Sequence, residues 1–129
     1  IGTLMMSAVC MARTSVLLFP SFWEEASGRS IAEAQLGGIP VLASRRGGIP
    51  EQLNGGGFLF DIPQRFQGRG PAVPEAGDVA PWLETLSRLI DDEAFYRQAS
   101  ARALAAAEPF RWQRQRGEIA ALFHELAAA

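Results

Sequence analysis

Two glutamates, Glu25 and Glu33, stand with seven residues between them, and Ala26-Ser27-Gly28 follows directly on the first. A carboxylate such as Glu33 can accept hydrogen bonds from both hydroxyls of a ribose, as an acidic residue does in dinucleotide folds. Backbone N–H groups near Ala26, Ser27 and Gly28 would be the unpaired donors of a helix start, a seat for a phosphate or a developing anion. Glycine at position 28 lets a ligand approach with no side chain in the way. The layout implied is a nucleoside on one carboxylate, a sugar near the other and a diphosphate between them. A second reading makes Ser30 and Glu33 a capping box that only secures a helix start. That reading would leave a short crossover between parallel strands, which favours the ligand role without closing the question. Glu24 reads as solvated, although a one-residue slip would exchange it with Glu25.

Other chemistry is less well supported. Ser21 follows a strand as a nucleophile would, but the Gly-x-Ser-x-Gly elbow is missing and the only histidine, His124, falls on the last helix, so a hydrolase is not expected. Gly55-Gly56-Gly57 precedes no helix and the chain has no Lys, so it reads as a tight loop and not a phosphate cradle. The single cysteine, Cys10, has no partner for a disulfide or a metal and reads as a small buried apolar residue in a reducing compartment.

These residues need a scaffold that puts them at one edge of a sheet. Val16 to Phe19, closed by Pro20, reads as a strand buried on both faces, preceded by a helix over Leu4 to Arg13. Gly28 to Gln35 is a helix ended by Gly37 and Gly38. Pro40 to Ser44 and Gly57 to Asp61 are further strands, with a one-turn helix from Pro50 to Leu53 between them. Strand, helix and strand in this order imply parallel pairing by right-handed crossovers. The fold class is α/β, part of a doubly wound sheet with a helical tail. Three units are expected: strands and helices over 1–61, a surface loop or ordered insertion over 62–77 and helices over 78–129. The helical faces expected are Trp82, Leu86, Leu89 and Ile90, then Phe95, Ala99, Ala103 and Ala106, then Ile119, Leu122, Phe123 and Leu126, with Pro109 between the last two helices. Phe110, Trp82 and Trp112 are expected to be core residues.

With 129 residues and 48% hydrophobic content the chain has the make-up of one globular domain. Twelve basic residues, all Arg, against 14 acidic ones leave a net charge of −2 without blocks of one sign, which argues against nucleic acid as a partner. No apolar run approaches the roughly 20 residues of a membrane span, and a cytoplasmic location is expected. The chain begins at Ile1 without an initiator methionine, from which an upstream part is expected.

The run from Leu18 to Gly28, continued by Ile31-Ala32-Glu33-Ala34, Gly38 to Ser44 and Gly47-Gly48-Ile49-Pro50-Glu51, is similar to the donor-domain signature of glycosyltransferase family 4, which has a GT-B fold. The resemblance extends through Gly56 to Phe60 and the tail with Phe110-Arg111-Trp112, covering most of the chain, but only the second half of that domain. It implies a metal-independent transferase, with no cofactor, that moves a sugar from a nucleotide diphosphate with retention of configuration, as in polysaccharide biosynthesis. Carried over by position, Glu25 is the catalytic candidate and contacts the donor sugar, while Glu33 contacts the ribose. Ala26, Ser27 and Gly28 offer backbone contacts to sugar and diphosphate, and Gly47 and Gly48 line the same cleft. Ser27 stands where the family usually has a bulkier residue. The family's diphosphate-gripping basic pair and its acceptor site, for a glycan or a lipid-linked saccharide, lie in parts this chain lacks. The 129 residues alone are therefore expected to be inactive, with peripheral membrane contact a property of the full-length protein. For Trp23 two readings remain, packing on an acceptor or sealing the domain interface. The alternative function is a non-catalytic α/β module that self-associates through the open edge of the Val16–Phe19 strand.

Overall fold

The structure is a computed structural model that describes residues 11–66 and 73–128. The expected helix over Leu4 to Arg13 lies almost wholly outside the described residues, and Cys10 lies outside them too. Three strands, β1 (Leu17–Phe19), β2 (Val41–Ser44) and β3 (Phe58–Phe60), form a parallel sheet in the order β1-β2-β3. Helix α1 (Arg29–Leu36) joins β1 to β2, and α2 (Ile49–Leu53) joins β2 to β3. After a 3-10 turn at Gln64–Phe66 come α3 (Ala76–Asp91), α4 (Glu93–Ala107), a second 3-10 turn at Glu108–Phe110 and α5 (Trp112–Ala128). The expected parallel doubly wound class holds, as a partial sheet with a helical tail.

Alternation along the strands divides the core in two. Val41 and Ala43 face α1 and α2, meeting Ile31, Ala34, Ile49 and Leu53, with Leu17, Phe19 and Leu59 packed alongside. Leu42 points the other way to Leu89 and Ala99, joined by Phe58, Phe60, Trp82, Leu86 and Phe95. Trp82 stacks on Phe60 with ring centroids 4.4 Å apart. Helix α1 ends in a Schellman motif: Gly38 takes φ +69°, its N–H bonds Gln35 O, and Ile39 N–H bonds Ala34 O. The αL geometry anticipated at Gly37-Gly38 thus falls on the second glycine.

Several expectations are corrected. All four residues of β2 are buried, but β1 is not buried on both faces, because it lies at the sheet edge and Leu18 is 48% exposed. Within 62–77 the Gln64–Phe66 turn buries Phe66, which stacks on Phe22, in keeping with an ordered insertion, whereas α3 begins at Ala76, two residues before the expected start. The α3 start is held by Asp78, which accepts from Glu75 N–H at 2.8 Å and pairs with Arg65. The Glu75 bond, aided by Arg65 and opposed by desolvation, holds the Asp78 carboxyl below its ordinary 3.8. This support is complete above that pH and fades as pH falls through the lower folded value. Ile90 is exposed, since it lies a full 100° step round the helix from the buried Leu89. Trp112, Ile119, Leu122, Phe123 and Leu126 are exposed as well, so the expected apolar face of α5 lies largely in solvent.

Central and edge strands therefore differ in what they contribute. Leu42→Ala is expected to cost about 2–5 kcal/mol in urea unfolding, and Leu18→Ala only about 1 kcal/mol, since half of its side chain never leaves water. Equal losses would contradict this division of the core.

Candidate functional site

The loop leaving β1 is shaped by its own hydrogen bonds. The Ser21 hydroxyl accepts from Trp23 N–H at 3.2 Å and lies 3.2 Å from Glu25 Oε1, to which it donates. Glu25 N–H bonds Trp23 O at 3.0 Å, and Glu25 O accepts from Gly48 N–H at 2.7 Å. The loop after β2 backs directly onto this turn. A Cβ on Gly47, whose φ is +49°, would sit 2.4 Å from Glu25 O, and one on Gly48 would sit 2.4 Å from Ala26 O. Gly47 and Gly48 are thus brought against Glu25 and Ala26 backbone to backbone. The contact is structural support of the Glu25 turn by the two glycines.

Helix α1 starts one residue later than expected, with Gly28 as N-cap, no side chain capping it and no acidic residue in its first turn. Arg29 N–H bonds Ser27 O at 3.0 Å. Because the helix begins at Arg29, Ser30 lies inside it and the Ser30–Glu33 capping box does not form. Glu33 instead pairs with Arg29 at 3.3 Å on the same helix face. Gly28 is buried, and a Cβ there would meet Ile31 Cδ1 at 2.6 Å, so glycine here also lets the helix settle on its own core residue.

Glu33 and Ser27 open onto a pocket of about 440 Å³, with Arg29, Gln52, Phe110 and Gln115 among its other walls. Ser27 Oγ donates to Gln52 Oε1 at 3.1 Å, so the small side chain at this position is used to hold α2. Glu25 is not among the residues lining that pocket; it sits half-buried at the turn before α1, while Glu33 lies one helical turn beyond the helix start. Glu24 is exposed, as expected, and pairs with Arg46 at 3.5 Å, whereas Glu25 is half-buried. Trp23 is 79% exposed beside them. Phe110, expected in the core, is only half-buried, in the 3-10 turn beside this pocket.

Sequence reasoning missed Gln52 and Arg46 and set Ser21 aside. Arg46 binds Phe22 O at 3.3 Å as well as Glu24, fastening the loop after β1 to the loop after β2. Its signal was position alone, immediately before Gly47-Gly48. A second, apolar cavity of about 220 Å³ lies on the other face of the sheet, walled by Leu18, Pro20, Phe22, Phe66, Trp82 and Leu86 among others. Among the described residues no three His, Cys, Asp or Glu gather as a metal site, and no helix is long and apolar enough to cross a membrane.

A parallel sheet wrapped on both faces, with its loops collected at the carboxyl ends of the strands, is the ligand-binding class of open α/β domain. No family model matches the chain. The solved structure of Anabaena HepE in complex with UDP-glucose superimposes with a TM-score of 0.63 at 24% identity, over 95% of this chain and 30% of that one. The same protein with UDP and glucose gives 0.62 at 25% identity, again over 95% of this chain and 30% of that one. The fold is therefore that of part of a GT-B glycosyltransferase domain. In sequence the chain is 30% identical over 116 residues to D-inositol 3-phosphate glycosyltransferase of Corynebacterium efficiens, covering 88% of this chain and 24% of the relative. The corresponding Nocardioides protein is 31% identical over 104 residues, 81% of this chain and 20% of the relative. The relatives are glycosyltransferases, as the family 4 resemblance implied, and the chain spans about a quarter of their length or less.

The glycine backstop has a measurable consequence. Gly48→Ala is expected to lower stability by about 1–3 kcal/mol, because its Cβ has no space although its φ is ordinary. Gly77→Ala, whose Cβ meets nothing, is expected to be neutral or to stabilise α3 by up to about 1 kcal/mol. Thermal unfolding distinguishes the pair, and a harmless Gly48→Ala would contradict the backstop.

Proposed function

We propose that this chain is the rear half of the donor-binding domain of a retaining glycosyltransferase, acting on a nucleoside diphosphate sugar and inactive without the remainder of the protein. The observation that carries the reading is the start of α1. It has no side-chain cap, lies at the carboxyl edge of a parallel sheet, and has Glu25 just before it and Glu33 one turn inside it. Its N–H groups would receive the diphosphate, assisted by the positive end of the helix dipole. Similarity to glycosyltransferases and to a fold solved with UDP-glucose supports the choice of donor.

In this reading Glu33 exchanges part of its contact with Arg29 for the ribose hydroxyls. Glu25, held by Ser21 and by the Gly48 bond, meets the sugar, with backbone contacts from Ala26, Ser27 and Gly28. The bond between the anomeric carbon and the diphosphate oxygen breaks, the acceptor oxygen bonds to that carbon on the same face, and the acceptor proton passes to the departing phosphate. No metal or other cofactor takes part. The acceptor, a glycan or lipid-linked saccharide, binds a separate domain, with the whole enzyme in the cytoplasm and touching the membrane peripherally.

For the full-length protein, a saturating sugar nucleotide from a panel of UDP-, GDP- and ADP-linked hexoses is expected to raise the melting temperature by several degrees, the effect of about 2.7 kcal/mol at a hundredfold excess over Kd. Glu33→Ala is expected to remove most of that shift. Absence of any shift across the panel would overturn the donor-binding reading.

A second reading, self-association of the isolated chain, is favoured by the β1 edge, which no other described strand pairs, and by half-exposed Leu18 beside the apolar cavity. Light scattering on the isolated 129 residues is expected to show dimers or larger species. A monodisperse monomer would remove this reading.

A further inference from the structure

Ser21 stands at the centre of the turn that carries Glu25, and no role described above requires it to be serine. Its hydroxyl accepts one hydrogen bond, from Trp23 N–H at 3.2 Å, and has one proton to give. Two acceptors are within reach, Glu25 Oε1 at 3.2 Å and Trp23 O at 3.4 Å. The carboxylate is nearer and charged, and charge-assisted bonds are the stronger ones. The backbone of Glu25 is already held at both ends, by Trp23 O on its N–H and by Gly48 N–H on its carbonyl. What those bonds leave undetermined is the direction of the carboxyl group. Ser21 supplies that last constraint, and occupying one oxygen of the carboxylate leaves its other oxygen to a ligand.

We propose that Ser21 is a positioning residue, which orients the Glu25 carboxylate toward the sugar of the donor and does not itself touch substrate. The inference rests on the donor-site reading above and deepens it. Ser21 acts through Glu25, so its effect should appear in turnover and disappear when Glu25 is absent. A side chain that merely stiffened the loop would act independently of that carboxylate.

The test uses the full-length protein and transfer to water, in which the bond from the anomeric carbon to the diphosphate breaks, water oxygen bonds to that carbon and the diphosphate leaves with the proton. Release of nucleoside diphosphate is followed with whichever UDP-, GDP- or ADP-linked hexose of the panel is turned over fastest. Ser21→Ala is expected to lower kcat about tenfold, the factor corresponding to one hydrogen bond, with KM within twofold of the parent. Ser21→Thr, which keeps the hydroxyl, should recover kcat to within about threefold. Adding Ser21→Ala to Glu25→Ala should change nothing further. The inference is overturned if Ser21→Ala leaves kcat unchanged, if it raises KM instead, if threonine fails to rescue, or if the two substitutions simply multiply. Full activity in Glu25→Ala would remove the role of Glu25 itself, and turnover of no sugar nucleotide by the parent protein would remove the transferase reading.

Discussion

The contact on which this structure turns is between two stretches of backbone. Gly48 N–H reaches Glu25 O at 2.7 Å, and the Gly47-Gly48 pair lies so close to Glu25 and Ala26 that neither glycine has room for a Cβ. Only glycine permits such an approach. The turn after β1 is thereby pressed onto the loop after β2, and Arg46 fastens the same two loops through Phe22 O and Glu24. Since α1 begins three residues beyond Ala26, the place and direction of its N-terminus, which no side chain caps, follow from this contact.

The energetics of the sheet show where that rigidity comes from. Strand β2 is sealed on both faces, by α1 and α2 on one side and by α3 and α4 on the other, so the loops leaving its carboxyl end start from the most buried element of the chain. Strand β1 has a neighbour on one side only and keeps Leu18 half-exposed. The candidate site therefore rests on a firm strand on one flank and on an open edge on the other. Polar cross-links compensate on the open flank: the Ser21 bonds, the Arg46 pair and the Tyr96 hydroxyl on Ser15 O at 2.9 Å.

Much of this was legible in the residues. Short apolar runs separated by glycine-rich turns identified three parallel strands to within one or two residues, because β-branched and aromatic runs bounded by Pro and Gly have few other solutions. The αL glycine after α1 and the break at Pro109 follow from single-residue backbone chemistry. What failed was burial. An apolar run such as Val16 to Phe19 looks the same at an edge as in a centre, and the faces of α5 and Ile90 look the same whether or not anything covers them. At the site, the glutamate spacing located the helix start, but the pairing of Glu33 with Arg29, the Ser27–Gln52 bond and the role of Ser21 join residues whose proximity no local pattern reports.

The measurement that bears most directly on the account is a crystal structure of the full-length protein with a bound nucleoside diphosphate sugar. Diphosphate oxygens are expected within hydrogen-bond distance of the N–H groups at the start of α1, with Glu33 on the ribose hydroxyls and Glu25 beside the sugar ring. A nucleotide bound away from residues 26–28, or a Glu33 still engaged with Arg29 and remote from the ribose, would contradict it.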